Sequence, residues 1–138
     1  MLERCPLSDH ERNDGINGAP PFAAHLGMYA DISADGVGTV RMPIRDHHLQ
    51  DSGYVQGGLI VTLADYAFYL AVKSRLSPGQ KTVTVELKVN FIAGAKDGEL
   101  IATAKVVSGG RRIFVVEGDV SDSKGVIIAR GLSTYLVS

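Results

Sequence analysis

Two features close together in the chain can do chemistry: the pair Gly57-Gly58, preceded by Gln56, and the carboxylate of Asp65. From Gly57 to Val72 the sequence GGLIVTLADYAFYLAV puts apolar side chains on almost every side of a helical wheel, which predicts a buried helix with Asp65 as its only charge. That aspartate lies about two turns inside the helix start, at ~3.6 residues per turn, too deep to cap it or to answer its dipole. A carboxylate in such a place must be hydrogen-bonded, paired, or set where a cleft admits water or a ligand. One reading is structural, with Tyr69 at i+4 or a neighbouring strand satisfying the acid. The other is functional, because two residues without side chains at the helix start leave N–H groups open to close approach by a ligand oxygen. Polarising donors and a carboxylate thus flank one helix.

Other chemistry-bearing residues are less well placed. His47 and His48 beside Asp46 lack the i,i+4 spacing of a helical metal site and no second cluster completes a shell, so we expect no metal and read them as a solvated loop. His10 and His25 have no partner in sequence, and no elbow motif assembles a Ser-His-Asp arrangement. Arg111 and Arg112, after two glycines at the start of a strand, either meet ligand phosphates through their guanidinium forks or form a solvated strand end. Tyr54, Tyr66, Phe68 and Tyr69 either line an aromatic pocket or belong to the core.

The elements that must position these groups follow from pattern. A chain of 138 residues with a formal charge of −1 makes one globular domain with a real core, and its balance gives no nucleic-acid footprint. The lone Cys5 and the absence of an export-type N-terminal segment point to the cytoplasm. The central apolar run falls short of the ~20 residues of a membrane span and holds an acid. Residues 1–21, rich in turn formers, read as a leader, and 22–138 as the domain. Phe22 to His25 is expected as a helical turn. Leu26–Ser33 and Val37–Pro43 read as a hairpin about Ala34-Asp35-Gly36. The connection from Arg45 to Gly53, with Gln50, delivers the chain to the helix, and Ser77-Pro78-Gly79 is expected to stop it. Then comes a clean alternation, with Val83, Val85, Leu87, Val89 and Phe91 on one face and Thr82, Thr84, Glu86, Lys88 and Asn90 on the other. Strands over Glu99–Val107, Arg111–Ser121 and Val126–Leu136 follow across connections too short for crossover helices. The sum is an α+β fold, a curled antiparallel sheet of five to six strands wrapped round one long helix.

The run GYVQGGLIVTLADYAF, followed by TVTVELKVNFIAGAKDGE, resembles the hotdog-fold thioesterases of the phenylacetate-degradation (PaaI-like) group. The likeness covers about Leu26 to Leu136. It implies the hotdog fold and hydrolysis of an acyl-CoA thioester without any cofactor beyond the coenzyme A of the substrate. Position by position, it makes Asp65 nucleophile or general base, the Gly57 N–H the carbonyl-polarising donor with Gly58 beside it, and Thr84 a hydroxyl that holds the carboxylate. An ordinary strand threonine is the other reading of Thr84. The chain departs from the family where Gln56 replaces the usual His and Gln50 the loop Asn; both keep a donor and an acceptor but cannot titrate near neutral pH. Gln50 and Gln56 are then orienting groups for substrate or water, and Tyr54, Arg111 and Arg112 candidate substrate contacts.

The resemblance also implies a homodimer in which the helix start of one subunit faces the carboxylate of the other, and a tetramer of two such dimers. Two other readings stand beside hydrolysis. A non-catalytic acyl-CoA-binding module is favoured by the two glutamines and disfavoured by Asp65, which a pure binding pocket would replace with an apolar residue. A hydratase or dehydratase would want a histidine at the helix start, where this chain has none.

Overall fold

The computed structural model describes residues 19–138. Of the expected leader it includes only Ala19–Pro21, with Ala19 packed on the core; Cys5 and His10 lie outside the described residues. The chain forms helix α1 (Pro21–Leu26), strands β1 (Tyr29–Ala34) and β2 (Val37–Pro43), and a 3-10 turn (Asp46–His48). The long helix α2 (Gly57–Lys73) is next, then β3 (Thr82–Phe91), β4 (Glu99–Gly109), β5 (Ile113–Ser121) and β6 (Ile127–Val137). All six strands join one antiparallel sheet in the order β1-β2-β4-β5-β6-β3, and α2 contacts every one of them. This is the expected sheet wrapped round a helix. No helix among the described residues is long and apolar enough to cross a membrane.

Local sequence explains the start of the sheet. Asp35 and Gly36 both have positive φ, 53° and 78°, and join Ala34 to Val37 as a two-residue hairpin loop whose twist matches that of the strands.

The sheet accommodates the helix through a row of small residues. Pairing places Gly38, Ala104, Gly118, Gly131 and Val89 side by side across five strands. A Cβ on Gly38 would lie 2.2 Å from the Ala67 carbonyl oxygen of α2, and one on Gly118 2.6 Å from the Phe68 ring. The glycines therefore form the floor on which the helix rests, and Phe68 sits over Gly118 and Gly131. Leu63, Ala67, Phe68, Ala71 and Val72 are buried against Val40, Leu100, Val116, Val120 and Ile128. Each large apolar side chain so placed contributes roughly 1.5–3 kcal/mol.

Four expectations are corrected. The alternation along β3 is broken by a bulge between Thr84 and Glu86. Thr82 and Thr84 pair with the inward-facing Val137 and Tyr135, and beyond the bulge Leu87, Val89 and Phe91 share that face, while Val83 and Val85 are 60% and 58% exposed. An extra residue shifts a period-two pattern by one, so a threonine replaces a valine on the helix side. Helix α2 ends at Lys73, before Ser77-Pro78-Gly79, because the Ser74 hydroxyl donates to the Ala71 carbonyl at 2.8 Å and accepts from the Gly36 N–H at 2.7 Å, tying the helix end to the hairpin. Arg111 and Arg112 belong to the turn ahead of β5, which begins at Ile113. Leu26 closes α1, where Gly27 at φ 74° ends the helix, so β1 begins only at Tyr29.

Candidate active site

Asp65 is half-buried on α2 and faces two strands that meet edge to edge. Thr84 of β3 donates its hydroxyl to Asp65 Oδ1 at 2.9 Å, and Tyr135 of β6 donates to the same oxygen at 2.5 Å. The Tyr135 hydroxyl also lies 3.0 Å from the Asp65 carbonyl oxygen. Thr84 and Tyr135 are direct partners in the β3–β6 ladder, so one register decision delivers both hydroxyls. Burial, and then the hydrogen bond to Asp65, push the Tyr135 phenol well above its ordinary value, so it remains a donor wherever the protein is folded. Both contacts fall on Oδ1; among the described residues Oδ2 accepts no hydrogen bond. The carboxylate is thus fixed in orientation with one oxygen uncommitted.

Asp65 opens on a cleft of about 660 Å³ lined by Phe22, Ile32, Val61, Tyr66, Tyr69 and Lys73 among others. Its walls are largely apolar, and the Phe22 and Tyr66 rings meet edge to face at 5.5 Å. Of the four aromatics expected either here or in the core, Tyr66 and Tyr69 line the cleft, Phe68 is in the core, and Tyr54 lies elsewhere, its ring packed on Gly94 under the Lys96 ammonium. Tyr69 does not satisfy Asp65; the neighbouring strands do.

The helix start is the second polar feature. The Gln56 N–H donates to the His48 carbonyl at 2.9 Å and its carbonyl accepts from Leu59, while its side chain makes no capping bond. The N–H groups of Gly57 and Gly58 find no acceptor among the described residues. Gly58 has open space where a side chain would be, and Gly57 faces the ring of Phe91 at the far end of β3. Two N–H groups at the positive end of a 17-residue helix form an anion-stabilising pair.

His48 holds this start in place and is not part of a solvated loop. It is 1% exposed, its Nδ1 accepts from the Arg45 N–H at 2.9 Å, and its Nε2 lies 2.8 Å from the Leu26 carbonyl. Those partners require the neutral ring with its proton on Nε2, and burial lowers the pKa accordingly. His47 is exposed, and no cluster of three or more potential metal ligands occurs among the described residues.

Of the residues singled out by sequence, the structure brings Asp65 and Thr84 together. Gln56, Gly57 and Gly58 lie eight or so residues away on the same helix, ~12 Å at ~1.5 Å per residue. The Gln50 amide closes its own turn, its Nε2 donating to Ser52 Oγ and its Oε1 accepting from the Ser52 N–H, both at 2.7 Å. Arg111 and Arg112 are exposed just before Ile113, which pairs with Leu136 opposite Val83, so they stand at the Asp65 end of the sheet. Tyr135 was not singled out, although alternation puts it on one face of β6 with Gly131 and Ser133, where a hydroxyl-bearing ring among small residues is a signal.

Known proteins share this architecture. A conserved Pseudomonas aeruginosa protein of known structure superposes with a TM-score of 0.82 at 29% identity, over 96% of this chain and all of that one. A Bacillus halodurans protein solved with coenzyme A superposes at 0.70 with 33% identity, over 72% of this chain and 70% of that one. Human acyl-coenzyme A thioesterase 13 is 30% identical over 118 residues, 82% of each chain. The family pattern described as Thioesterase superfamily matches residues 52–129, from the approach to α2 through β5 and into β6. A match spanning α2 with Asp65, β3 with Thr84, β4 and β5, more than half of the chain, places this chain in the thioesterase superfamily, with thioester hydrolysis as its chemistry.

Proposed function

We propose that the protein hydrolyses acyl-CoA thioesters to the free acid and coenzyme A at a site that two copies of the chain build together. The observation that carries this reading is Asp65, oriented through one oxygen by Tyr135 and Thr84 and open through the other to an apolar cleft. The coenzyme A held by the similar Bacillus halodurans protein supports the choice of thiol.

One copy cannot supply both halves of the chemistry, since ~12 Å of helix separates Asp65 from the free N–H groups. The open edge of the sheet offers the remedy. Among the described residues β3 has no partner on its outer side, and Val83, Val85 and Phe91 are exposed along it, with Ile92 just beyond. Such an edge pairs readily with another copy of itself. Antiparallel self-pairing about a two-fold axis brings the Phe91 end of one strand opposite the Thr84 end of the other. Phe91 lies against Gly57 and Thr84 holds Asp65, so each helix start approaches the other copy's carboxylate. The exposed Ile113 and Leu132 on the outer face of the sheet are the surface through which two such dimers would stack into a tetramer.

In this arrangement the Gly57 and Gly58 N–H groups receive the thioester oxygen as negative charge develops on it. Asp65 Oδ2 attacks the carbonyl carbon, giving a mixed anhydride that water cleaves, or removes a proton from a water that attacks instead. In either case the carbon–sulfur bond breaks and the thiolate leaves. Gln56, at the helix N-cap, is the side chain placed to orient the carbonyl or water; Gln50 shapes the turn leading to it. Arg111 and Arg112 are the cations assigned to the phosphates of coenzyme A.

Mixing two inactive variants tests hydrolysis and assembly together. Gly57→Pro removes the N–H at a helix position that accepts proline, and Gln56 at φ −57°, ψ 131° already has the backbone shape that precedes one. Asp65→Asn removes the base or nucleophile. Each homodimer should be inactive in thiol release, and a re-annealed mixture should recover about one quarter of wild-type activity, because half the dimers carry one intact site. Recovery of nothing from two folded variants argues for sites built within one chain. Absence of thiol release by the wild type across short, long and aromatic acyl-CoAs leaves a binding module as the better reading.

A further inference from the structure

We infer that Tyr54 and Lys96 seat the nucleotide end of coenzyme A, the tyrosine ring taking a face of the adenine and the lysine an adjoining phosphate. The inference rests on the acyl-CoA reading above and locates the far end of the same substrate. The two residues stand beside the bare helix start. Val55 is buried, while Tyr54 and Gln56 on either side of it are exposed, so both face outward along the approach to Gly57. The Gln50 N–H donates to the Tyr54 carbonyl and the Val55 N–H to the Ala95 carbonyl, each at 2.8 Å. Those bonds pin the stretch to the turn before it and to the loop after β3. Tyr54 thus stands three residues from Gly57, ~10 Å of extended chain at ~3.3 Å per residue. With the thioester oxygen on the Gly57 and Gly58 N–H groups, the pantetheine arm covers that gap and the nucleotide comes within reach of the ring.

The ring is held ready for a flat group. Tyr54 is 40% exposed, yet its ring rests on bare backbone: a Cβ on Gly94 would lie 2.5 Å from a ring carbon, so only glycine leaves room for it there. The Lys96 ammonium lies 4.6 Å from the ring centre. Among the described residues Lys96 forms no ion pair, with its neighbour Asp97 or with any other acid. An exposed cation–π contact is weaker than the stacking of a base on an aromatic ring, so an adenine displaces the ammonium at little cost. The displaced ammonium, on its flexible stem, then lies beside the phosphates of the same ligand, where a point charge suffices. Coenzyme A carries phosphate both in its diphosphate bridge and on its ribose, so the lysine adds to Arg111 and Arg112 rather than replacing them.

The test pairs turnover with binding in the full-length protein. The acyl-CoA turned over fastest is compared with the same acyl group on pantetheine, which lacks the nucleotide. Both thioesters are assayed for kcat and KM in wild type, Tyr54→Leu, Tyr54→Phe, Gly94→Ala and Lys96→Met. Free coenzyme A and pantetheine are titrated calorimetrically against the same proteins. Wild type should favour the CoA thioester in kcat/KM, and Tyr54→Leu should cut that preference about tenfold, chiefly through KM. Gly94→Ala, which displaces the ring without removing any of its atoms, should act in the same direction. Lys96→Met should cut the preference about threefold, and Tyr54→Phe should keep it, since the ring and not the hydroxyl stacks. Equal losses on both thioesters, or no loss on either, overturn the inference while hydrolysis stands. Equal losses would make Tyr54 a support for the turn before Gly57 and nothing more. The binding arm separates the two ideas. If no thioester turns over but coenzyme A binds more tightly than pantetheine, and Tyr54→Leu and Lys96→Met remove the difference, the hydrolytic reading falls and the nucleotide seat remains. If coenzyme A then binds no better than pantetheine, both fall.

Discussion

Glu99 and Asp65 both accept a hydrogen bond from a tyrosine, and the fold treats them in opposite ways. At the β1–β2–β4 side of the sheet, Glu99 receives Tyr29 at 3.1 Å on one oxygen and Arg41 at 2.7 Å on the other, while the same arginine holds Asp31 at 3.0 Å. Both of these acids face a cation. At the β6–β3 side, among the described residues Asp65 receives only the neutral hydroxyls of Tyr135 and Thr84, both on one oxygen. Charge neutralisation makes a carboxylate inert as a nucleophile or base, whereas neutral donors fix its plane and leave its charge available. On the function proposed above, the contrast favours Asp65 over Glu99 as the reacting acid.

The largest test of that contrast is to neutralise each acid in turn. Asp65→Asn keeps the shape and an oxygen acceptor but removes the charge, and thiol release should fall by roughly a thousandfold, the scale of a lost base. Glu99→Gln should leave kcat within about twofold, since it touches no reacting atom. A comparable loss from both would show that the difference in partners does not matter. Next in size is Tyr135→Phe, which removes the shorter of the two bonds to Asp65. It should lower kcat about tenfold, as expected for a net hydrogen bond of about 1.4 kcal/mol, with KM little changed. Thr84→Val should cost about threefold by the same reading, and the double variant should fall short of the product if the hydroxyls act as one device.

These residues also mark how far the sequence could be read. The helix, Asp65 and the bare helix start were legible because they lie within one 17-residue stretch, apolar on almost every side and with a single acid, that needs no long-range information. The strands were legible to within about two residues at most ends, because Asp35-Gly36 and Asp122-Ser123-Lys124-Gly125 are chemically distinct turns; Ser108 and Gly109, expected as a turn, extend β4 to Gly109. The face of Thr84 was not. A one-residue bulge reverses the sides of β3, and an alternating strand reads equally well in either register until its partner is known. Tyr135 was missed because the contact spans 70 residues and depends on β6 pairing with β3 across the chain's whole second half. The two-copy site was reached by resemblance alone; the open β3 edge and the length of α2 now give it a physical argument.

Smaller effects should separate scaffold from site on the Glu99 side. Arg41→Met leaves Asp31 and Glu99 facing each other without their shared cation. The pairs are partly exposed, with 33% of the arginine side chain open to solvent, so solvent screening limits the cost to about 1 kcal/mol in chemical denaturation. Hydrolysis at saturating substrate should be unchanged after correction for the folded fraction. A large loss of kcat would mean that the two sides of the sheet are coupled, through Asp31 at the cleft wall.

His48 sharpens the comparison from a third direction, because it is buried, uses both ring nitrogens and is held neutral. Its folded pKa is lowered, first by burial, from an unfolded value near 6.5. Above about pH 6.5 neither state binds the proton and its contribution to stability is complete. As pH falls below that value the unfolded chain takes up a proton that the folded ring refuses, so stability declines, at no more than about 1.4 kcal/mol per pH unit, until the folded pKa is reached. Denaturation midpoints measured between pH 7.5 and 5.5 should fall for the wild type more steeply than for His48→Gln, which has no such proton to gain. Equal slopes would mean that the ring accepts its proton on Nδ1 in the folded state, with the Arg45 N–H released and the Leu26 carbonyl still held. The approach to Gly57 would then loosen in acid, and thiol release would decline below pH 6.5 with the chain still folded.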